Sequence, residues 1–442
     1  MNTDAAEALT RLVAAQKRGL AQGLAAVCSA NGHVLDASAR LAARRGTVLL
    51  VESTCNQVNQ YGGYTGMTPA GFRDYVAGSA ARCGLPAERL ILGGDHLGPG
   101  PWKGEPAASA MARARRLVHD YVAAGYQKIH LDASMRCADD DAGRPLPKEV
   151  SVARTAELCL AAEAARPAAG RAAGAPRYII GSEVPTPGGA AAGEGDLAVT
   201  RVEDAQETLE LTRDAFTALG LDEAWERVIA LVVQPGVEFG DLCVHDYRPE
   251  VATGLSRFIR GQDRLIYEVH STDYQAREGL RQLVADQFAI LKVGPALTFA
   301  FREALFALAL VEEEWLGGDA AIERSNLMAL VDRVMLDRPE HWRAYHQGGE
   351  ARLRFALRYS YSDRVRYYWP SPLLHGAIDR LIGNLAQHPP PLCLLSQYLP
   401  VQCARVRSGA LDNKPQDLIG DKIADVLADY AYATGGEREK VG

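Results

Sequence analysis

The sequence predicts a (β/α)₈ barrel, the TIM-barrel fold, followed by a C-terminal helical extension. Eight short apolar or β-branched segments recur along the chain, and longer amphipathic segments separate them. Such strand–helix alternation is typical of a parallel sheet, and eight units match the barrel. A doubly wound sheet is the alternative, but no GxGxxG motif opens a helix. The eight predicted strands lie at 25–30, 47–53, 89–96, 128–134, 178–184, 228–236, 265–271 and 289–295.

The length of the chain fits one barrel with an extension. A typical barrel takes about 250 residues, whereas this chain has 442. Beyond residue 310 the pattern changes to helical segments that are rich in aromatic residues. We therefore predict a barrel in residues 1–310 and a helical extension, packed on that barrel, in residues 311–442.

Composition and charge exclude several classes of protein. Hydrophobic residues make up 48% of the chain and charged residues 23%, which is ordinary globular composition. The net charge of −7 argues against non-specific nucleic-acid binding, which depends on neutralising phosphates. No apolar run reaches the roughly 18 residues of a membrane span. The N-terminal segment, with Asp4, Glu7 and Arg11 inside its apolar pattern, predicts an amphipathic helix and not a signal peptide.

The eight cysteines are scattered and form no CxxC pair. This usage predicts reduced thiols in a cytoplasmic protein.

Two loop-like segments flank the fifth predicted strand. Residues 161–177 are rich in Ala, Pro and Gly, which favours a surface spacer before this strand. Residues 185–196 follow the strand directly. At the catalytic face of a barrel, such a loop is either a mobile lid or a plain connection.

Polar side chains stand at the predicted strand ends, where the chemistry of a barrel takes place. Glu268 and His270 are two residues apart and share one face of their strand, and so do Asp132 and Ser134. An unpaired buried charge costs several kcal/mol, so these groups must pair or bind a ligand. A ring of salt bridges at the barrel mouth is the alternative. The strand-end set is Glu52, Asp95, His96, Asp132, Ser134, Glu183, Gln234, Glu268, His270 and Lys292.

The two strand-end histidines are the best candidate metal ligands. Imidazole and carboxylate groups bind zinc and other divalent ions, and the barrel would bring His96, His270 and Glu183 towards one ion. His130 lies lower on its strand, so we expect it in the core.

The loops after the second and third strands supply further polar groups. Residues 53–69, which include Asn56, offer the amides, hydroxyls and aromatic rings that suit a polyol ligand. An ordinary polar loop is the alternative there. In GGDHLGPGPW, Asp95 lies beside His96 and is a candidate proton-transfer group. This segment contains no GK[ST], so it is not a nucleotide phosphate loop.

Long blocks of the chain, in order, resemble the GatZ/KbaZ family. They include ESTCNQVNQYGGYTGMTPAGFRDYV, LGGDHLGPGPW, KIHLDAS, GSEVPTPGG, VVQPGVEF, YEVHSTDYQ, ILKVGPALTFAFREA and RYSYSDRVRYYWP. The family is that of the non-catalytic subunit of class II tagatose-bisphosphate aldolase. The resemblance implies a barrel of the class II aldolase type and a role as partner of a separate catalytic aldolase subunit. Some relatives act alone as metal-dependent ketose 4-epimerases.

The resemblance also implies roles for individual residues. Asp95 and His96 resemble the Asp–His pair of the catalytic class II aldolases, in which the histidine binds zinc and the aspartate exchanges the C4 hydroxyl proton. Those enzymes complete the zinc site with two further histidines. This chain offers His270 on the seventh strand but has Gln234, not a histidine, on the sixth. Glu183 would therefore have to replace the third histidine as a ligand, or the metal differs.

The hypothesis is a metal-dependent 4-epimerase of a ketose or ketose phosphate. The hydrogen at C4 is not acidic, so inversion there requires redox chemistry or cleavage of the C3–C4 bond, and no nicotinamide fingerprint is present. The expected catalytic residues are Asp95, Glu183, Glu268 and Lys292, the substrate-binding residues Glu52, Asn56, Asp132, Ser134, Gln234 and Arg364, and the metal ligands His96, His270 and Glu183. Zinc is the expected metal, with manganese, nickel or cobalt as alternatives.

The competing hypothesis is a non-catalytic accessory subunit that stabilises a separate class II aldolase. Neither hypothesis needs nucleic acid or a membrane as partner. A homo-oligomer with an even number of subunits is a base-rate expectation.

Overall fold

Eight parallel strands close into a barrel, which confirms the predicted fold class. The computed structural model describes residues 5–170, 174–181, 197–346 and 348–435. The strands are β1 Leu24–Cys28, β2 Leu49–Thr54, β3 Leu90–Leu97, β4 Lys128–Leu131, β5 Arg177–Ile180, β6 Val228–Val232, β7 Ile266–Val269 and β8 Phe288–Val293. Each pairs in parallel with its sequence neighbours, and β8 pairs with β1 to complete the circle. An antiparallel pair of two-residue strands, Glu238–Phe239 and Val244–His245, follows β6.

Helices surround the barrel and form the extension. The first half of the chain contributes α1 Ala5–Lys17, α2 Gly32–Arg45, α3 Pro69–Arg82, α4 Ala107–Ala123, α5 Lys148–Ala169, α6 Val202–Ala218 and α7 Asp222–Trp225. The second half contributes α8 Pro249–Arg260, α9 Arg277–Ala285, α10 Pro295–Leu316, α11 Leu327–Asp337, α12 Glu350–Tyr359, α13 Pro372–Gln387, α14 Leu392–Tyr398, α15 Pro400–Arg407 and α16 Pro415–Ala433. Among the described residues, no helix is long and apolar enough to cross a membrane.

The lower interior of the barrel is apolar and is closed at its N-terminal end by α1. Alternate strand residues point inwards and form one buried cluster with Leu9, Leu12 and Val13 of α1. The strand members of this cluster include Ala26, Leu50, Ile91, Ile179, Ile266 and Ile290. The carboxylates and histidines of the strands, such as Glu52, Asp95 and Glu268, stand above this layer, towards the C-terminal end.

The extension packs directly on the barrel helices. Helix α16 contacts α2, α9 and α10, and the hydroxyl of Tyr430 donates a 2.8 Å hydrogen bond to the carbonyl of Thr272, just after β7. Helix α10 runs without a break through residue 310 to Leu316. The proposed boundary between residues 310 and 311 thus falls inside a helix.

The prediction of a surface spacer at 161–177 is wrong for the first half of this segment. Helix α5 continues to Ala169, and Ala162 and Ala165 are fully buried. Alanine is the strongest helix former, and it packs closely against neighbouring elements. Pro167 lies in the last turn of this helix, where it cannot donate a backbone hydrogen bond, and the helix ends two residues later. Glu183 and the predicted lid at 185–196 lie outside the described residues.

Candidate metal and active site

The ends of the described strands surround a cavity of about 240 Å³ at the C-terminal end of the barrel. The extension reaches this cavity as well, because Arg366 and Tyr367 contribute to its lining. The predicted site residues that line it are Asn56, Asp95, His96, Asp132, His270 and Lys292.

Four side chains at this end form a candidate metal centre. One ligand atom from each of Asp95, His96, His130 and His270 lies within 4.8 Å of the others. The ring centroid of His96 lies 4.6 Å from that of His270 and 4.9 Å from that of His130. Three imidazoles and a carboxylate match the donor preference of zinc.

His130 is fully buried, as expected, and its ring also lies within the candidate metal centre. It shares its strand face with Lys128 and Asp132, so alternation along β4 places it inside the barrel. The β3–β4 register shifts between Gly94 and Leu97. This irregularity lets the His96 amide donate to His130 Nδ1 at 3.2 Å. His130 thus supplies the third imidazole that Gln234 does not.

Each of the three imidazoles has one nitrogen held by an oxygen acceptor. Nδ1–H of His96 donates to Asp132 Oδ2 at 2.7 Å, and Nε2–H of His270 donates to Glu268 Oε1 at 3.2 Å. Nε2–H of His130 donates to the carbonyl of Gly181 at 2.9 Å. These bonds place lone pairs on His96 Nε2 and His270 Nδ1. His130 Nδ1 faces the His96 amide and Asp95 Oδ1, so a metal ion at this nitrogen would replace those contacts. Metal-ligating histidines are held in this way, so the residues present fit a divalent metal.

The protonation of the histidines follows from burial and from their neighbours. Burial lowers the pKa of His270, and the ammonium group of Lys292 lowers it further. Burial also opposes a charge on His130, but the hydrogen bond and charge of Asp95, whose Oδ1 lies 3.1 Å from His130 Nδ1, outweigh it and raise the pKa. A metal at Nδ1 of His130 would therefore displace a proton.

The backbone at His96 adopts the left-handed conformation, with φ of 47°. Residues other than glycine rarely do so, and such strain is concentrated at functional sites. Just beyond, a Cβ on Gly98 would lie 1.6 Å from the Asp132 carbonyl oxygen. Only glycine permits this close approach of the β3 and β4 ends.

Asp132 and Ser134 act together. The hydroxyl and the amide of Ser134 donate to Asp132 Oδ1 at 2.6 and 3.0 Å, while the other carboxylate oxygen accepts from His96. Burial alone would raise the pKa of Asp132, but its contacts with His96 hold it well below the usual range. Ser134 supports Asp132 and is not among the residues that line the cavity.

Two buried lysines neutralise the carboxylates around the centre. Lys292 pairs with Asp95, and Lys128 pairs with both Glu52 and Glu268. Despite its burial, Asp95 has a pKa well below the usual range, because His96, Lys292 and His130 favour its charge. Burial and the neighbouring Glu268 charge raise the pKa of Glu52, whereas Lys128 and His270 lower the pKa of Glu268. Asp95 is thus ionised, with its carboxylate between Lys292 and His130.

The predicted catalytic residue Glu268 and the predicted substrate-binding residues Glu52 and Gln234 do not line the cavity. Glu52 and Glu268 are fully buried and ion-paired, and neither lines the cavity. Gln234 Oε1 accepts from the amides of Gly236 and Val237 at 2.7 and 2.9 Å, and so shapes the loop after β6.

The structure places another arginine at the cavity instead of Arg364. Arg364 is buried, with its guanidinium 3.3 Å from the centre of the Tyr345 ring. Arg366, two residues on, lines the cavity. Another arginine of the extension, Arg358, forms a double hydrogen bond to Asp332 and does not line the cavity.

Sequence comparison decides the family. A family model described as the D-tagatose-1,6-bisphosphate aldolase subunit GatZ/KbaZ-like matches residues 9–435. The chain belongs to the GatZ/KbaZ-like family. The resemblance of the sequence blocks is therefore confirmed over nearly the whole chain.

The chain is similar to one solved structure over most of its length and more distantly to others. This GatZ/KbaZ-like chain is 42% identical to a probable tagatose 6 phosphate kinase from Sinorhizobium meliloti 1021, with a TM-score of 0.84, covering 93% of this chain and 100% of that one. A fructose-bisphosphate aldolase from Campylobacter jejuni shares 13% identity, with a TM-score of 0.44, covering 86% and 92% of the two chains. The YdjI aldolase from Escherichia coli K12 shares 11% identity, with a TM-score of 0.41, covering 83% and 94%.

Proposed function

We propose that this chain is a metal-dependent 4-epimerase of a ketose or ketose phosphate that works by cleaving and re-forming the C3–C4 bond. The observation that carries the proposal is the triple of imidazoles, each with one N–H held by an oxygen acceptor, beside an ionised aspartate. An accessory protein has no need of this arrangement. The metal ligands would be His96, His130 and His270, with zinc as the first candidate.

The chemistry follows from the position of the ketose carbonyl at C2. A divalent metal held by these histidines would supply Lewis-acid polarisation of this carbonyl. Asp95 accepts the proton of the C4 hydroxyl as the C3–C4 bond breaks, and the electron pair of that bond moves to the carbonyl fragment. The aldehyde fragment turns over before the bond re-forms, and Asp95 returns the proton to the new C4 oxygen. The two ketoses are isomers, so no redox partner is required.

Other residues of the chain orient and stabilise the reacting groups. Lys292 lines the cavity next to Asp95, where its ammonium group stabilises negative charge that develops on the sugar oxygens. Asn56 lines the same cavity and offers an amide to a sugar hydroxyl. Arg366 brings a guanidinium group for a phosphate of the substrate. Glu183 stays a proposed additional ligand or proton-transfer group.

The test is a turnover assay of the purified chain, loaded with Zn²⁺ or treated with a chelator. Fructose, tagatose and their 6-phosphates are offered, and the products are separated by chromatography. Metal-dependent interconversion at C4, lost in His130→Ala, is the expected result. Absence of turnover with all four sugars in a folded, metal-loaded chain would exclude the epimerase for these substrates.

A second candidate function is that of an accessory subunit to a class II aldolase in sugar metabolism. The observation that favours it is the description of the matching family as an aldolase subunit. Copurification with a catalytic aldolase chain, and an increase in that chain's thermal stability, would support it. The two functions are compatible in one protein.

A further inference from the structure

We propose that Lys128 is a positioning residue for the candidate metal ligand His270 and acts through Glu268. This inference rests on the metal centre of the proposed function. Lys128 stands at the start of β4 with its side chain fully buried, and it is not among the residues that line the cavity. It therefore acts on the centre through its neighbours and not by contact with the sugar.

Lys128 joins two carboxylates from different sides of the barrel. Its Nζ atom lies 2.5 Å from Glu52 Oε1 on β2 and 2.6 Å from Glu268 Oε2 on β7, and all three side chains have no exposed area. The structure makes room for this cluster, because a Cβ on Gly93 would lie 2.8 Å from Glu52 Cγ. Buried ion clusters are weak contributors to stability, and apolar residues often replace them without loss. A role at the adjacent site accounts for the cluster better than stability does.

Glu268 carries the effect of Lys128 to the centre. One carboxylate oxygen of Glu268 contacts Lys128, and the other accepts the Nε2–H of His270 at 3.2 Å. With Oε2 held by the ammonium group, the carboxylate is fixed in the rotamer that presents Oε1 to His270. That contact orients the ring and leaves Nδ1 as the nitrogen with the lone pair.

The other two histidines are held by elements close to them. His96 is held by Asp132, whose own support is the neighbouring Ser134, and His130 by the Gly181 carbonyl. His270 differs, because the acceptor that orients it is itself anchored by a cation on another strand. Lys128 thus couples β2 and β4 to the ligand on β7.

The experiment measures Zn²⁺ affinity by competition with a chromophoric chelator, and the absorption spectrum of the Co²⁺-loaded chain. Glu52→Gln serves as the background, so that Lys128→Met leaves one unpaired carboxylate instead of two. Relative to E52Q alone, E52Q/K128M should bind Zn²⁺ about 10- to 100-fold more weakly, the usual loss when a residue that orients a metal ligand is removed. Its Co²⁺ spectrum should change, since the spectrum reports the coordination of the ion.

The pathway through Glu268 is tested by a mutant cycle. Relative to E52Q alone, E52Q/E268M should bind Zn²⁺ more weakly by a similar factor. The addition of Lys128→Met to this variant should cause no further loss of Zn²⁺ affinity. This triple variant replaces the charge cluster with mostly apolar side chains, which favours folding. Arg227→Met is the control, because it breaks a partly buried pair with Glu163 away from the centre and should leave Zn²⁺ affinity and the Co²⁺ spectrum unchanged.

Three results would overturn the inference. An unchanged affinity and Co²⁺ spectrum in folded E52Q/K128M would exclude the role of Lys128 while leaving the proposed function intact. A further loss on adding Lys128→Met to E52Q/E268M would show that Lys128 does not act through Glu268, and this comparison still decides the matter if E52Q/K128M fails to fold. Absence of Zn²⁺ and Co²⁺ binding by the wild-type chain would overturn the inference together with the proposed metal centre.

Discussion

Asp132 Oδ2 accepts the Nδ1–H of His96 at 2.7 Å, and the backbone carbonyl of the same aspartate lies against Gly98. One residue at the end of β4 thus sets both the side chain and the chain path at the end of β3. The candidate metal ligand His96 depends on a neighbouring strand for its orientation.

Asp132→Ala should weaken Zn²⁺ binding about 10- to 100-fold, because His96 loses the acceptor that fixes its Nδ1 proton. Ser134→Ala should cause a smaller loss, since it removes only the support of Asp132. Both affinities are measured by chelator competition. Equal Zn²⁺ affinity of Asp132→Ala and the wild type would show that His96 is not a ligand.

Bound metal should stabilise the folded chain, because the three imidazoles meet only in the native state. At a free Zn²⁺ concentration of 100 times Kd, the gain is about 2.7 kcal/mol. Thermal unfolding should therefore shift to lower temperature on chelation. His130→Ala should lose most of this shift, whereas His119→Ala, on the outer face of α4, should keep it. Identical shifts in the two variants would exclude His130 from the centre.

Asp273 should make the stability depend on pH. Its Oδ1 accepts from the amides of Gly294 and Ala296 at 3.0 and 2.8 Å, and burial raises its pKa to about 6. An unfolded aspartate has a pKa of about 3.9. The folded chain holds this proton more tightly, so the free energy of unfolding falls as pH rises from about 4 to 6. The difference of about two pKa units between the folded and unfolded chain corresponds to about 3 kcal/mol of unfolding free energy.

Asp273→Asn keeps the acceptor and removes this titration. Relative to the wild type, the variant should gain stability between pH 4 and pH 8, by up to about 3 kcal/mol. Urea unfolding at a series of pH values measures the difference. A difference that is constant over this range would contradict the assignment.

Gly98→Ala should be among the most destabilising single changes in the chain. The added methyl group would lie 1.6 Å from the Asp132 carbonyl oxygen, so the ends of β3 and β4 must separate. A loss above about 3 kcal/mol is expected, as for other severe steric changes. Gly104→Ala is the control, since nothing lies within 4 Å of its added Cβ. Similar urea midpoints for the two variants would refute the close approach.

The barrel and the Glu268–His270 pair could be predicted because both depend on periodicity along single strands. Hydrogen bonding between Glu268 and His270 confirms that they share a face. The depth of each side chain inside the barrel and the register between neighbouring strands could not be predicted from periodicity. The irregular β3–β4 pairing brings His130 up to His96, and Lys128 lies on that same face without a sequence signal beyond its alternation with His130.

Which residues of the extension reach the cavity could not be predicted from the sequence. Arg364 and Arg366 are two residues apart in a short 3₁₀ turn, and only the path of that turn selects which one lines the cavity. Sequence alone specifies the residue types but not the path of a chain segment that packs on the barrel from outside.

Helix α1 closes the N-terminal end of the barrel as far as the described residues show. Its apolar residues pack into that end, so a substrate of the proposed function would enter and leave at the end where Arg366 and Tyr367 stand. Entry and exit thus share one route, and a departing product competes with an arriving substrate for it. The 364–367 turn borders this route, so the segment that would bind a substrate phosphate through Arg366 also stands where the substrate would enter.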